Sequence, residues 1–269
     1  MDVKNASGDF IESNNLVTKF VFIIGLLIVF LVLLRFFISI GAWLFMASPT
    51  PHFTDGISST DEGYTISVDP TKSSSKPVLR SVNEREGLEF TYSIWLYVKK
   101  IIKPSPPQCI FRKGVKAEKD DEINGPGLYI EQSNNEAHLT VKMDSFSPVG
   151  GSFESESLQG IKVPMRTWVN IMIRCNGRNI DVLINGILYS SKLLKGIPRQ
   201  NYYDIEFSGG SSGQAPFDGY ISDFWYWNYS LGTNAIMNLI KNGPNTTNLK
   251  QKQSMDAKVP KYLAFNWFI

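Results

Sequence analysis

The feature that most constrains this chain is a long apolar run near its N-terminus. Residues 20–47 contain a single charged side chain, Arg35. As an α-helix the run would be about 42 Å long, which exceeds the roughly 30 Å hydrocarbon core of a bilayer. The run therefore predicts one transmembrane helix with limits at Phe20 and Ala47, either tilted or spanning with only part of its length. We expect Arg35 to lie near one boundary and to extend its charge into the headgroups.

The flanks of this run distinguish it from a cleaved signal peptide. Secretory apolar regions span about 7–15 residues and follow a basic segment, whereas residues 1–19 contain three acidic side chains beside Lys4 and Lys19. The bulky Phe45 stands at the −3 position before a cut after Ala47, where a small residue is needed. The sequence thus predicts an uncleaved anchor. The two lysines before the span favour a cytosolic N-terminus and a domain across the membrane.

Composition divides the rest of the chain into three parts. Residues 48–78 are rich in Ser, Thr, Pro, Asp and Gly, which is typical of a stalk. Residues 79–245 show the alternation of β-strands and are numerous enough for a full-sized core. Residues 246–269 form a tail that is first basic and then apolar. With residues 1–19 as a head, the chain is predicted to have five segments.

Period-two alternation is the main structural signal in residues 79–245. Over residues 88–99, six apolar positions alternate with six others, which predicts a strand with one face in a core. Asn176-Gly177 and Asn185-Gly186 each separate two alternating runs and predict tight hairpin turns. One short helix is expected over residues 233–241, with Thr233 as its cap. Many short strands with regular turns predict a mainly β fold, a jelly-roll sandwich preceded by one transmembrane helix.

The titratable residues do not form the patterns of a catalytic or metal site. Retaining glycan hydrolysis needs two carboxyl groups about 5–5.5 Å apart on a rigid element. The acidic residues 118–122, and Glu154 with Glu156, fall in predicted loops. Neither His52 nor His138 has a cysteine or acidic residue at metal-ligand spacing. The sequence therefore predicts no enzyme and no catalytic, metal-binding or cofactor-binding residue.

Charge and cysteine content limit the partners. There are 27 Lys and Arg residues against 25 Asp and Glu, and a net charge of +2 gives no basis for nucleic-acid binding. Cys109 and Cys175 lie in predicted strands, where either two buried thiols or one disulfide is consistent with the sequence. Asn228 and Asn245 begin glycosylation sequons that only an extracytoplasmic domain would use.

Two aromatic segments are candidates for contacts. The aromatic residues between positions 225 and 229 either pack within the domain or stack on sugar rings, so the carbohydrate-binding residues remain unknown. The C-terminal residues 262–269 are strongly apolar, unlike a solvated tail. We expect them to pack on the domain, or on a partner or membrane surface. The expected contact residues are Phe265, Trp267, Phe268 and Ile269.

Five short segments, in this order, resemble motifs of concanavalin A-like (laminin-G-like) lectin/glucanase domains. They are GLEFTYSIWL (87–96), WVNI (168–171), IDVLING (180–186), FDGYISDF (217–224) and the helical ending at 231–244. Leu183 stands where these domains usually have tyrosine. The resemblance implies a concanavalin A-like jelly-roll sandwich over residues 79–245. Relatives of this fold often bind Ca²⁺, but their ligands do not map onto this chain.

With its N-terminal anchor, the chain is similar to membrane-associated minor capsid or virion proteins of large double-stranded DNA viruses of the chlorovirus kind. This resemblance implies a non-enzymatic structural protein that links an internal virion membrane to the capsid shell. Its partners would be the lipid bilayer, other capsid or membrane proteins and, in addition, glycans. The alternative is a cell-surface carbohydrate-binding protein, and a glycoside hydrolase is the third.

Overall fold

A computed structural model shows two compact units, Met1–Ala47 and Ser48–Ile269. The structure describes part of each unit. The described residues are 16–60, 63–72, 75–81, 83–84, 87–101, 106–115, 122–133, 135–147, 152–208 and 217–247.

The first unit contains helix α1 (Leu16–Phe45), which is long and apolar enough to cross a membrane. Its apolar side chains are exposed around the whole circumference, and an all-apolar helix surface is stable only away from water. The helix begins at Leu16, before the predicted limit Phe20, because helical hydrogen bonding includes the residues around Lys19 as well as the apolar run. It ends before the predicted limit Ala47, close to Pro49, which disfavours helical conformation in the residue that precedes it.

The second unit is an antiparallel β-sandwich, which confirms the predicted mainly β jelly-roll fold. Its elements are β1 (His52–Ser59), β2 (Tyr64–Ile66), β3 (Asn83–Glu84), β4 (Gly87–Lys100), β5 (Gln108–Lys113), β6 (Gly127–Ser133), β7 (Glu136–Phe146), β8 (Phe153–Val163), β9 (Trp168–Asn176), β10 (Asn179–Ile184), β11 (Ile187–Leu193), β12 (Ile205–Phe207), β13 (Asp218–Trp227) and helix α2 (Thr233–Asn242). Sheet A has the order β1-β13-β4-β9-β10-β11, and β3 pairs with β4 beside it. Sheet B has the order β2-β12-β5-β6-β7-β8.

The core lies between the two sheets. Strand β4 buries the apolar face that the sequence predicts, with Phe90, Ile94 and Leu96 each 1% exposed. Aromatic rings from both sheets meet at the centre, where the Phe224 centroid is 4.7 Å from Phe111 and 5.0 Å from Phe207. The two cysteines are buried thiols on opposite sheets, Cys109 in β5 and Cys175 in β9. The sequence was consistent with two buried thiols or with one disulfide, and the structure shows the two buried thiols.

The prediction of a stalk over residues 48–78 is wrong for the parts that the structure describes. Strand β1 pairs with β13 at one edge of sheet A, with His52 opposite Trp225. Strand β2 pairs with β12 in sheet B, with Tyr64 opposite Phe207. Phe53 is buried in the core. The polar composition of this segment reflects its position at the sheet edges, so the sandwich begins at β1 and not at residue 79.

The structure has a hairpin turn at or next to each of the two predicted Asn-Gly turns. Asn185 and Gly186 have φ angles of 49° and 80° and connect β10 to β11, which confirms that turn. The other turn lies one residue later than predicted, at Gly177 and Arg178. Asn176 pairs with residues on both sides in sheet A, and this pairing extends β9 through it.

Helix α2 covers part of the outer face of sheet A. Ile236 is buried in a small cluster with Met172 of β9 and Leu183 of β10. The helix begins after Gly232, which occupies the N-cap position without a side-chain hydrogen bond, so the predicted cap at Thr233 is wrong. Gly243 follows the last turn with φ 70°, a conformation that glycine adopts without a steric penalty.

Replacing Gly186 with alanine should destabilise the sandwich by about 1–3 kcal/mol. The turn requires positive φ at this position, and an ideal Cβ would lie 3.2 Å from Cγ1 of Ile240 and 3.3 Å from Cγ2 of Ile236. Gly160→Ala is the matched control, since Gly160 also has positive φ but has no atom within 4 Å of its Cβ position. Urea unfolding should show a larger decrease in the free energy of unfolding for Gly186→Ala than for Gly160→Ala. Equal decreases would mean that crowding of the new methyl group against helix α2 has no effect on stability.

Candidate functional site

Three aromatic side chains form a row across the outer face of sheet A. Strand β4 lies between β13 and β9, and Tyr97 is opposite both Tyr220 and Trp168. The Tyr97 ring centroid is 5.4 Å from that of Trp168 and 6.1 Å from that of Tyr220. All three rings are partly exposed. Antiparallel pairing therefore aligns three aromatic rings on one surface.

Charged side chains surround this row. Lys99 Nζ lies 3.9 Å from the Tyr220 ring centroid and 3.4 Å from Asp218 Oδ1. The pKa of Lys99 is raised, chiefly by its hydrogen bond to Tyr220 and further by Asp218, so it is a cation at neutral pH. Together these groups line an open hollow of about 530 Å³. We call it the sheet A patch; its residues are Ile57, Tyr97, Lys99, Lys100, Arg166, Trp168, Asp218 and Tyr220.

The chemistry of the sheet A patch suits a ligand with apolar faces and polar edges. The face of an aromatic ring has a partial negative charge, because the ring has a quadrupole, and it attracts weakly positive C–H groups. The cations and the carboxylate that line the hollow supply hydrogen-bond donors and acceptors that would fix the orientation of the ligand. A pyranose ring has both a C–H face and a circle of hydroxyl groups. None of the three aromatic residues in this patch is among the predicted contact residues, although an aromatic side chain on the polar face of the predicted strand over residues 88–99 is a signal for such a patch.

A second hollow of about 650 Å³ opens beside the core between the two sheets. Lys113 lines it, and burial lowers the pKa of its ammonium group to about 8. The Lys113 Nζ donates hydrogen bonds to the backbone oxygens of Asn201, at 3.2 Å, and Tyr203. The amine therefore holds the segment before β12 against β5, which is a structural role.

Two of the acidic residues that the sequence assigned to a loop lie in a strand. Glu154 and Glu156 lie in β8, not in a loop, because β8 pairs with β7 through both positions. Glu156 accepts hydrogen bonds from Ser145 Oγ at 2.9 Å and from the backbone N–H of Lys195 at 2.8 Å. Glu154 lies 3.1 Å from Nζ of Lys195. The positions of these two carboxylates are thus set by cations and donors of the sandwich itself.

A buried charge cluster lies on the outer face of sheet B. Arg112 is fully buried, and its Nη2 donates to Glu206 Oε2 while Nη1 lies 3.7 Å from Glu122 Oε1. Glu122 also lies 2.7 Å from Nζ of Lys142. Of the acidic segment 118–122, only Glu122 is described, and it is a member of this cluster, not of a solvated loop. Because the Arg112 and Glu206 side chains are both buried, removing either one would leave the other charge buried without its partner, which is strongly destabilising.

The two histidines lie in strands β1 and β7. His52 Nε2 is 3.1 Å from Asp223 Oδ1, although the two residues are far apart in sequence. Spacing along the sequence did not indicate this acidic neighbour, because the pairing of β1 with β13 brings the two residues together. His138 Nε2 lies 3.7 Å from Glu136 Oε2, which also pairs with Lys162 at 2.7 Å.

The aromatic residues after position 224 mainly pack within the domain. Tyr226 is fully buried in the core, as the packing alternative predicts. Trp225 stacks on His52 with the ring centroids 3.7 Å apart and the planes 6° apart. Trp227 stacks on Trp225 at 5.9 Å.

The two asparagines that begin glycosylation sequons, Asn228 and Asn245, both make hydrogen bonds within the second unit. Asn228 is buried, and its backbone N–H donates to the oxygen of Pro49. Asn245 is half-buried, and its Nδ2 donates to Asp55 Oδ1 at 2.7 Å. Glycosylation of either amide stays a prediction. The predicted contact residues Phe265, Trp267, Phe268 and Ile269 lie outside the described residues.

Comparison with known proteins identifies one family and several structures. The family model of the concanavalin A-like lectin/glucanases superfamily matches residues 72–237. The binding domain of botulinum neurotoxin DC, in complex with rat synaptotagmin II, is 20% identical and covers 58% of this chain and 36% of its own, with a TM-score of 0.40. The botulinum neurotoxin serotype D ligand binding domain, in complex with N-acetylneuraminic acid, is 17% identical over 58% and 37% of the two chains, with a TM-score of 0.41.

This chain therefore spans little more than a third of each neurotoxin structure. No curated protein matches its sequence.

Proposed function

The chain belongs to the concanavalin A-like lectin/glucanase superfamily, and we propose that it is a non-enzymatic, membrane-anchored module that binds carbohydrate through the sheet A patch. The observation that carries this proposal is the row of Tyr220, Tyr97 and Trp168 across three neighbouring strands. Helix α1 holds the module at a bilayer, and the β-sandwich provides a rigid surface for recognition.

The sheet A patch supports carbohydrate binding through its rigidity as well as its composition. Each ring projects from a strand that is paired on both sides, so little conformational freedom is lost when a ligand stacks on it. The Lys99–Asp218 pair and Arg166 line the hollow, where ligand hydroxyl groups would meet them. An open hollow favours a terminal or internal sugar of a larger glycan over a small molecule enclosed on all sides.

The non-enzymatic assignment rests on the positions of the carboxylates. Glycan hydrolysis requires one carboxyl group that gives a proton and another that attacks or activates water. Glu122 and Glu206 are paired with Arg112, and Glu156 is held by Ser145 and Lys195. In the sheet A patch the carboxylate of Asp218 is paired with Lys99. Each of these carboxylates is thus engaged by side chains or backbone groups of the sandwich itself, which leaves the patch suited to binding.

The test is a glycan array probed with the full chain in detergent micelles. Tyr97→Ala and Trp168→Ala should each weaken binding at least about tenfold, because a well-packed aromatic contact contributes on the order of 1.4 kcal/mol or more. Tyr189→Ala is the matched control, since Tyr189 is an exposed tyrosine on β11 of the same sheet outside the patch. Circular dichroism should show all three variants folded. Failure of the wild-type chain to bind any glycan, or equal affinity in all variants, would contradict the proposal.

A second candidate is the structural role that the viral resemblance implies. In this role the anchored module is a minor capsid or virion protein at the interface between an internal membrane and the capsid shell. Helix α1 supports the membrane end of such a link, and the apolar residues 262–269 supply a contact for a capsid or membrane protein. The protein would then copurify with intact particles and stay with the capsid after detergent removes the lipid. If detergent removes the protein together with the lipid, the structural role is contradicted and only the carbohydrate-binding role remains.

A further inference from the structure

Three side chains at the β1–β13 edge of sheet A converge on one point. His52 and Asp55 come from β1 and Asp223 comes from β13, and one potential ligand atom from each lies within 4.8 Å of the other two. We propose that these residues form a binding site for a divalent transition metal ion such as Zn²⁺. The site is separate from the sheet A patch and shares no residue with it.

Irregular strand pairing brings these residues together. In a regular strand, residues three apart such as His52 and Asp55 project from opposite faces. The register of β1 against β13 shifts twice between His52 and Ile57, and a further shift in β13 lies beside Asp223. Asp223 itself has φ 46°, in the left-handed region that few non-glycine residues adopt. Bulges of this kind redirect side chains, and here they bring all three ligand groups to one place.

Neighbouring groups hold the ligands in position. The backbone N–H of Asn245 donates to Asp223 Oδ2 at 2.7 Å, and its Nδ2 donates to Asp55 Oδ1 at 2.7 Å. The stacked ring of Trp225 fixes the plane of the His52 imidazole. Metal sites in proteins have such outer contacts, which orient the ligands before the ion arrives.

The His52 Nε2 atom provides an independent indication. It is shielded from solvent and, within the described part of the chain, makes no hydrogen bond of normal geometry. It nevertheless lies 3.1 Å from Asp223 Oδ1. A buried polar nitrogen without a hydrogen bond is costly, and coordination of an ion would satisfy it. A separation of about 3 Å between two ligand atoms also suits an ion about 2.0–2.2 Å from each.

The donor set selects the class of ion. Ca²⁺ prefers six to eight oxygen ligands, and Mg²⁺ retains most of its water. One imidazole nitrogen with two carboxylate oxygens suits Zn²⁺ and its transition-metal neighbours instead. Three protein ligands leave a coordination position for water or for a donor group of a partner. Bound metal would fasten β1 to β13 and to the segment after helix α2, through Asn245.

The test uses the full chain in detergent micelles, with any affinity tag removed and bound metal stripped by a chelator. Calorimetric titration should show one Zn²⁺ per chain, and melting in the presence of Zn²⁺ should occur at a higher temperature. Co²⁺ should give visible d–d absorption of a low-coordinate site. Ca²⁺ at the same concentrations should produce neither effect.

Variants distinguish this site from other binding of metal. Asp55→Asn and Asp223→Asn each keep an oxygen that accepts from Asn245 but lose a charged ligand, and His52→Ala loses the nitrogen. Each should weaken Zn²⁺ binding at least about a hundredfold. His138→Ala is the matched control, since its imidazole also lies beside a carboxylate, that of Glu136. Absence of stoichiometric Zn²⁺ binding, undiminished binding in Asp55→Asn and Asp223→Asn, or equal affinity for Ca²⁺ would overturn the proposal.

Discussion

Arg112→Ala should lower the free energy of unfolding by about 3–5 kcal/mol. The Arg112 side chain is fully buried, and the Glu206 side chain that it contacts is 7% exposed. Removing the guanidinium leaves the Glu206 carboxylate buried without its cation, and also removes the contact with Glu122. Glu122 retains Lys142 at 2.7 Å, so most of the loss should come from Glu206.

Urea unfolding of the full chain in micelles, followed by tryptophan fluorescence, measures this loss. Arg178→Ala is the matched control: Arg178 is exposed, and its Nη1 donates to a backbone oxygen, that of Lys195. It should change stability by no more than about 0.5 kcal/mol. The double replacement Arg112→Met with Glu206→Met should recover much of the loss, because apolar side chains avoid the cost of a buried unpaired charge. A loss below about 1 kcal/mol in Arg112→Ala would show that water reaches the cluster.

Deleting residues 16–45 should transfer the protein completely from the membrane to the soluble fraction. Helix α1 exposes large apolar side chains along its whole length, and burying each one contributes about 1.5–3 kcal/mol. No partial effect is expected, because the summed contribution of these side chains is far larger than the thermal energy and keeps essentially all of the intact protein in the membrane. Flotation on a density gradient and alkaline extraction of membranes both measure the partition.

Deletion of residues 248–269 is the control for anchoring. It removes the apolar end with Phe265, Trp267, Phe268 and Ile269 but retains helix α1, so the protein should stay in the membrane fraction. A chain without residues 16–45 that still floats would place the membrane contact elsewhere. Release by the C-terminal deletion alone would assign it to the tail.

The elements that sequence alone predicts correctly are those encoded by a few neighbouring residues. The buried face of β4 follows from alternation, because side chains of a strand point to opposite faces at a period of two. The turn at Asn185 and Gly186 follows from the conformations that these two residues tolerate. The apolar length of helix α1 is likewise a local property. In each case the physical cause lies within the segment that shows the pattern.

Tertiary structure alone decided which distant segments meet. Sheet A places β13 between β1 and β4, so a segment with the composition of a stalk supplies an edge strand. The same order joins His52 to Asp223, and aligns Tyr97 with Tyr220 and Trp168. Strand pairing depends on backbone hydrogen bonds that every residue offers, so local sequence cannot specify the partner. The partner is selected by burial of all core faces at once, and both proposed sites therefore became visible only in the folded sandwich.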